Sequence, residues 1–208
     1  MHAAGGPDSP VRRAYQAGLL GPDVNLVHLN QVTKEHAALL AETGTGVTVT
    51  PVVEGTMGHG ASPYGRLLDT GVRPGLGTDV VVNAPCDLFE PMRDTVRAQR
   101  QRTGTTWPAA AVLPAATVDS ARAVGLDGRV GTLTPGARAD LILLDGLAHL
   151  AGSGTADVAG AVVTALGPAH VRTVVVDGRI VKRNGGLVRH DLVALRREAA
   201  QLARRVLG

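Results

Sequence analysis

Short β-prone runs alternate with helix-prone segments through the first part of the chain, and this alternation restricts the fold more than any other feature. The runs VNLVH at 24–28, GVTVT at 46–50 and RPGLGT at 73–78 predict strands. Between the first two, Thr33 is placed to cap a helix over 34–43. Strands that recur after a helical segment are joined by right-handed crossovers and lie parallel in one sheet. The pattern therefore predicts an α/β fold.

Further helix signals accompany these strands. Ser9 followed by Pro10 is typical of a helix start, and Gly21 is the expected stop. Pro51 is expected to end the second strand. Additional helices are predicted at 63–69, 88–101, 106–113 and 117–124.

The rest of the chain is predicted to be β-rich with a helix at its end. Strands are expected at 130–133 and 140–144, at 171–176 and at 179–181, and the final helix at 191–206. The last two strands flank Asp177-Gly178, which is a strong signal for a two-residue hairpin turn. We therefore divide the chain into a βα part, residues 1–126, and a β part with a terminal helix, residues 127–208.

Composition excludes several classes of protein. The net charge is +3, but the chain has only four aromatic residues, too few for a base-stacking platform, so we expect no nucleic-acid partner. One cysteine excludes a disulfide framework. No apolar run approaches the roughly 18 residues of a membrane span. The start, MHAAGG, lacks the features of a secretory signal, so we expect a cytoplasmic protein with no membrane partner.

Polar residues stand where the predicted parallel strands end. His28 follows the first strand, Glu54 lies beyond the second and Asp79 follows the third, while His2 precedes a run of small residues. The carboxyl ends of parallel strands are where reacting groups collect. Imidazole and carboxylate are ligands of zinc, which converts a bound water into a nucleophile near neutral pH.

Each of these residues also has a simpler interpretation. A single histidine in a βα loop is often only a surface or hydrogen-bonding residue, and an aspartate after Gly-Thr is a common turn or N-cap residue. His59 lies in a Gly-rich stretch, MGHG, that is typical of a flexible loop. Position alone therefore leaves the metal site open.

Longer stretches carry a family resemblance. LLAETG at 39–44 and LLDTGVRPGLGTD at 67–79 resemble the amidohydrolase superfamily, in particular the cytosine deaminase and chlorohydrolase-like metal-dependent hydrolases. The segments GTLTPGARADLILLD at 131–145 and VVVDGRIV at 174–181 resemble that family's β-sandwich. The resemblance implies a (β/α)8 TIM-type barrel, here about strands 5–8, followed by part of a composite β-sandwich and a C-terminal helix.

The resemblance also implies a site. His2 matches the metal-ligating histidine of the fifth barrel strand, His28 the histidine of the sixth, and Asp79 the aspartate of the eighth, a metal ligand and a catalytic base. The loop from Pro51 to Gly60 matches the substrate-facing loop after the seventh strand, which implies that Glu54 and His59 contact the substrate. The implied cofactor is a divalent metal, zinc in the first place, with iron and manganese as alternatives.

The chain departs from the family pattern in two ways. It contains no H-x-H pair, and a complete barrel needs roughly 250 residues. We therefore expect a truncated chain, the C-terminal portion of such an enzyme. The family's H-x-x-E pattern reads His2-Ala-Ala-Gly here, without the glutamate that transfers protons in deaminases, and this argues against deamination while leaving hydrolysis open.

The expected function is hydrolysis of a non-peptide C–N bond (or a C–halogen bond) in a cyclic or heteroaromatic small molecule. Asp79 would accept the proton of the attacking water and His28 would stabilise the developing charge. The alternative is a catalytically incompetent fragment, or a subunit that needs a separate N-terminal half. Exposed strand edges favour pairing with another chain, so we expect a homodimer or association with such a half.

Overall fold

The computed structural model describes residues 9–82, 84–147 and 157–206 with their side chains, and residues 2, 3 and 207 by their backbone alone. Within these ranges the chain forms two four-stranded sheets, each built from strands that are consecutive in sequence.

The first sheet is entirely parallel. Its strands are β1 (His2–Ala3), β2 (Asn25–His28), β3 (Gly46–Val49) and β4 (Gly75–Leu76), and they lie side by side in chain order. The prediction of parallel strands with helical connections is confirmed.

Helices connect and cover these strands: α1 (Pro10–Gln16), α2 (Lys34–Thr43), α3 (Pro51–Thr56), α4 (Tyr64–Leu68), α5 (Phe89–Thr103), a 3₁₀ helix (Ala109–Ala116) and α6 (Val118–Ala123). The predicted caps are present. The Ser9 side chain accepts from the Val11 N–H, and the Thr33 side chain accepts from the His36 N–H, each at 3.2 Å. Gly44 ends α2 with a left-handed backbone.

The second sheet is antiparallel. It contains β5 (Leu141–Leu144), β6 (Val171–Val176), β7 (Arg179–Arg183) and β8 (Gly186–Leu187) in that order. The remaining elements are α7 (Val158–Ala165), a 3₁₀ turn (Pro168–His170) and α8 (Leu192–Leu207). Asp177 and Gly178 both have positive φ, as a two-residue hairpin turn requires, so that prediction is confirmed.

One hydrophobic core links the two parts of the chain. It contains buried residues of the parallel strands and of α2, α4 and α5, together with Val163 and Leu166 from α7 and the residue that follows it. The Arg93 guanidinium of α5 adds hydrogen bonds to the carbonyl oxygens of Leu166, at 2.8 Å, and Val163, at 3.3 Å. The division of the chain after residue 126 stays a prediction.

Several local predictions were wrong. Residues 130–133 are not a strand, because Gly128 and Gly131 have φ values of +70° and +90° that turn the backbone. The segment 51–60 begins with α3 and not with a loop, since Pro51 occupies the helix start, where its missing N–H costs nothing. The first helix ends at Gln16, five residues before the predicted stop at Gly21.

Two more differences concern helical segments. The helix predicted at 106–113 is a 3₁₀ helix shifted to Ala109–Ala116, with Pro114 inside it. The helix α7 was not predicted.

In the part of the chain that the structure describes, no helix has the length and apolarity to cross a membrane.

Candidate active site

The ends of the parallel strands have an unusual backbone. His28, the last residue of β2, has φ of 76°, and the following Leu29 has φ of 62°. Asp79, three residues after β4, has φ of 53°. Non-glycine residues in the left-handed region are strained, and such strain concentrates at functional sites when the surrounding structure holds it in place. The backbone therefore singles out the same strand ends that the sequence predicted.

The imidazole of His28 lies between two carboxylates. Its Nδ1 is 3.4 Å from Glu54 Oε1, and its Nε2 is 3.7 Å from Asp79 Oδ2. The side chains of His28 and Asp79 are 14% and 20% exposed, so both keep some access to solvent. The structure thus brings together residues from β2, from α3 and from the segment after β4.

Glu54 is the buried member of this group. Its side chain is fully buried within the described structure, where Oε1 accepts a 2.8 Å hydrogen bond from the Thr50 N–H. Oε2 has no hydrogen-bond partner among the described residues. In this conformation Glu54 contacts Thr50 and His28 and presents no surface to a substrate, so the predicted substrate contact has no support from its position.

Thr50 is a site residue that the sequence pattern does not single out. Its Oγ1 is 3.0 Å from His28 Nδ1 and 3.5 Å from Glu54 Oε1, so the hydroxyl bridges the two side chains. The one feature of the sequence that could have identified Thr50 is its place between the end of a strand and Pro51, at the edge of the sheet where the other site residues lie.

Close approach of β3 and β4 requires a glycine near Asp79. The Gly77 N–H donates to the Val49 carbonyl at 2.9 Å. A Cβ at Gly77 would lie 3.2 Å from Thr48 Cγ2 and 3.3 Å from Thr50 Cγ2, tighter than ordinary side-chain packing. The glycine therefore lets the chain that leads to Asp79 pass close beside Thr50.

The two remaining predicted residues differ in position. His59 is exposed, and its ring lies edge-on to that of His28 with centroids 6.3 Å apart. His2 pairs with Val27 in the parallel ladder, which sets its backbone beside the residue before His28. The His2 side chain lies outside the described residues. The predicted contact of His59 with a substrate stays a prediction.

The candidate site has donor atoms of the types that a divalent metal binds. The described side chains supply too few of them to complete a metal site. Asp79 and His28 supply a carboxylate and an imidazole, which zinc accepts. Across the described ranges no group of three or more histidine, cysteine, aspartate or glutamate side chains is arranged to hold a metal ion. The described side chains therefore account for part of a metal site.

The family model for the amidohydrolase family matches residues 1–181. This chain belongs to the amidohydrolase family. The prediction made from the sequence segments is confirmed, and the similarity to solved amidohydrolases supports a TIM-barrel-type α/β fold.

Individual relatives agree with this assignment. A 5-methylthioadenosine/S-adenosylhomocysteine deaminase from Desulforudis audaxviator is 34% identical over 203 residues, which are 96% of this chain and 47% of the relative. A zinc-bound adenosine deaminase structure from Xanthomonas campestris is 27% identical, with a TM-score of 0.86 over 95% of this chain and 46% of that one.

A third similar structure has a different activity. An atrazine chlorohydrolase from Arthrobacter aurescens complexed with zinc is 25% identical, with a TM-score of 0.82 over 93% of this chain and 44% of that one. The chain thus spans about half the length of the relatives that it matches. By their names, the similar proteins include deaminases and a chlorohydrolase.

Proposed function

We propose that this chain carries the Asp79 and His28 half of the active site of a metal-dependent hydrolase. The reaction would cleave a non-peptide C–N bond of a heteroaromatic small molecule. The observation that supports this most directly is the approach of His28 Nε2 to Asp79 Oδ2, 3.7 Å, at the carboxyl ends of β2 and β4 in the same parallel sheet.

The substrate class that we propose is an adenosine-like nucleoside. Similar proteins act, by name, on 5-methylthioadenosine, S-adenosylhomocysteine and adenosine. Hydrolysis of the exocyclic amine forms a C–O bond from water, breaks the C–N bond and releases ammonia. Hydrolytic dehalogenation of a heteroaromatic ring is the second candidate, favoured by the missing H-x-x-E glutamate and by similarity to the chlorohydrolase.

His2 and Asp79 would hold the divalent metal, zinc in the first place, with β1–β4 as barrel strands 5–8. When bound, such an ion lowers the pKa of coordinated water so that it is nucleophilic near neutral pH. Asp79 takes the proton that the attacking water loses, since its carboxylate is partly exposed beside His28. His28, held at the same strand end, stabilises the charge that develops during the attack.

The test measures product release by the purified chain with added zinc. Ammonia release from adenosine, 5′-deoxyadenosine and S-adenosylhomocysteine is followed beside chloride release from a chlorotriazine. Each assay is run with the chain alone and with the N-terminal half of the Desulforudis deaminase supplied as a separate polypeptide. We expect ammonia release, with Asp79→Asn lowering kcat about 10²–10⁴-fold.

The matched control is Asp23→Asn, which changes an exposed aspartate before the start of β2, at the opposite end of the strand from His28, and should leave the rate unchanged. Chloride release without ammonia release would favour dehalogenation. No product under any condition would contradict the proposal and favour the catalytically incompetent fragment.

A further inference from the structure

We propose that α8 is a self-association element, through which two copies of this chain pair their terminal helices in antiparallel orientation. The pairing surface is the α8 seam, a line of apolar residues on one face of the helix: Leu192, Leu195, Ala199, Leu202 and Val206. The proposal is independent of the proposed function, because the seam contains none of the candidate site residues.

The α8 seam is exposed to solvent. In the described structure every residue from 191 to 206 is exposed except Ala194, which is partly buried. The four larger residues of the seam are between 45% and 74% exposed. A helix gains most of its stability in a protein by packing its apolar face against another surface. A long apolar line left in water therefore indicates a surface that a partner covers.

The spacing of the seam is that of a helix pair. Its residues are separated by three, four, three and four positions, so they keep to one side of α8 from Leu192 to Val206. This is the heptad spacing with which one helix packs along another at a shallow crossing angle. The seam therefore fits a second helix that lies alongside α8.

Residue sizes along the seam favour an antiparallel partner of the same sequence. When two copies of α8 run in opposite directions about a two-fold axis between positions 200 and 201, Ala199 lies opposite Leu202 of the second copy. Leu195 then lies opposite Val206 of the second copy, and Leu192 lies at the outer edge of the pair. A small residue facing a large one fills the interface, whereas parallel copies would place Ala199 against Ala199 and leave a gap.

Charged residues beside the seam are complementary in the same arrangement. Glu198 and Arg205 flank the seam on the same side, and in the antiparallel pair Glu198 lies beside Arg205 of the second copy. Neither residue has an opposite charge three or four positions away in α8, so neither has a partner on its own helix face. Sliding the copies by one heptad would place Glu198 beside Glu198 and Arg196 beside Arg196, which is repulsive. Charge therefore selects one register.

Other partners fit this pattern less well. For a lipid surface, α8 has no aromatic residue to anchor it at the interface, and Glu198 flanks the seam where anionic headgroups would lie. The N-terminal half of a related enzyme could cover an apolar line, but it would not require Glu198 and Arg205 to complement each other. The charge pattern thus identifies a second copy of this chain.

The experiment measures self-association of the full chain by sedimentation equilibrium at protein concentrations from about 1 to 500 µM. A reductant is present, because the exposed Cys86 could otherwise crosslink two copies. We expect a weak, concentration-dependent dimer, since a single helix pair is a small interface.

Substitutions on α8 test whether the seam forms this dimer. Leu202→Glu should weaken the dimer at least about a hundredfold, because it places two carboxylates between the helices. The matched control is Val193→Glu, which changes an exposed apolar residue of the same helix outside the seam and should leave the affinity nearly unchanged.

Exchange of the charges distinguishes the antiparallel pair from other dimers. Glu198→Arg and Arg205→Glu should each weaken the dimer about tenfold at low ionic strength, because each turns two attractive contacts into repulsive ones. The double variant with both changes should recover the native affinity to within about threefold, and a parallel pair or a dimer formed through strand edges predicts no such recovery.

Three results would overturn the proposal. They are a chain that stays monomeric at the highest concentration, a dimer that persists in Leu202→Glu, and single charge variants that the double variant does not rescue. Each result can be obtained whether or not the chain shows turnover.

Discussion

Arg73 donates two hydrogen bonds to the buried carboxylate of Asp119, from Nε to Oδ1 at 3.0 Å and from Nη2 to Oδ2 at 3.1 Å. Asp119 lies in the first turn of α6, and Arg73 lies two residues before β4. Arg122 adds a third contact to the same carboxylate at 3.0 Å. This ion pair holds the residues just before β4 against α6. Because β4 leads to Asp79, the packing of α6 helps to position the candidate site.

The bidentate ion pair between Arg73 and Asp119 should contribute measurably to the free energy of unfolding. Arg73→Met leaves the Asp119 side chain, only 2% exposed, with Arg122 alone, and we expect the free energy of unfolding to fall by about 2 kcal/mol. The control is Arg12→Met, which breaks the exposed pair with Glu35 and should cost at most about 1 kcal/mol. Urea unfolding curves measure both, and equal losses in the two variants would contradict the prediction.

Tyr64 should make stability fall at alkaline pH. Burial, with the negative charge of Asp119 second, raises the pKa of Tyr64 to about 12, although Arg73 opposes the shift. An unfolded tyrosine ionises near pH 10. The stabilising contribution is therefore complete below about pH 10 and is lost as the pH rises toward 12, by about 2–3 kcal/mol.

Stability against urea, measured at several alkaline pH values, tests this prediction. Tyr64→Phe keeps the edge-on ring contact with Trp107 but cannot ionise, so its stability should decline less over the same range. Parallel declines in the native chain and in this variant would show that other groups cause the loss. Tyrosinate absorbance should report Tyr64 as the later of the two tyrosines to ionise.

Gly46 should tolerate no side chain. A Cβ at this position would lie 2.4 Å from the carbonyl oxygen of Ala123, so α6 and β3 would have to separate. We expect Gly46→Ala to lower the free energy of unfolding by about 1–3 kcal/mol. Gly55→Ala is the matched control, because it lies in α3 with nothing within 4 Å of the new Cβ, and helix propensity should make it neutral or stabilising. Thermal unfolding of both variants measures the difference, and similar effects would refute the steric argument.

Zinc binding by the chain alone should be weak. Stable zinc sites use three or four protein ligands, and the described side chains provide no such group. Isothermal titration with zinc should therefore give an affinity weaker than micromolar, reduced further by Asp79→Asn and unchanged by Asp23→Asn. Adding the N-terminal half of a related deaminase should strengthen binding. Micromolar or tighter binding by the chain alone would contradict this prediction.

Local sequence signals predicted much of the secondary structure. Ser9 and Thr33 cap their helices, Gly44 ends one, and Asp177-Gly178 turns a hairpin, because each of these depends on a few neighbouring residues. The dependence on a few neighbouring residues also explains the wrong predictions of secondary structure. The segment 130–133 has the composition of a strand, but the left-handed backbone of Gly128 before it and of Gly131 within it prevents it from extending.

The candidate site was predicted in part. His28 and Asp79 follow from their places at strand ends, and the structure brings them to 3.7 Å. The roles of Thr50 and Glu54 do not follow from position, since a glutamate beyond a strand can face a substrate or the interior with the same sequence. Only the folded structure, in which Glu54 contacts the Thr50 N–H and His28, shows that this carboxylate is buried.

The sequence by itself determined the alternation of strands and helices, the hairpin and the candidate residues at the strand ends, because these depend on short-range patterns along the chain. The family followed from the resemblance of longer sequence stretches. Tertiary structure decided which distant groups meet. Arg73 reaches Asp119 across 46 residues, and Thr50 bridges Glu54 to a histidine 22 residues earlier. Such contacts depend on how helices pack on the sheet, where a shift of about one ångström decides whether a hydrogen bond forms, and no short-range pattern carries that information.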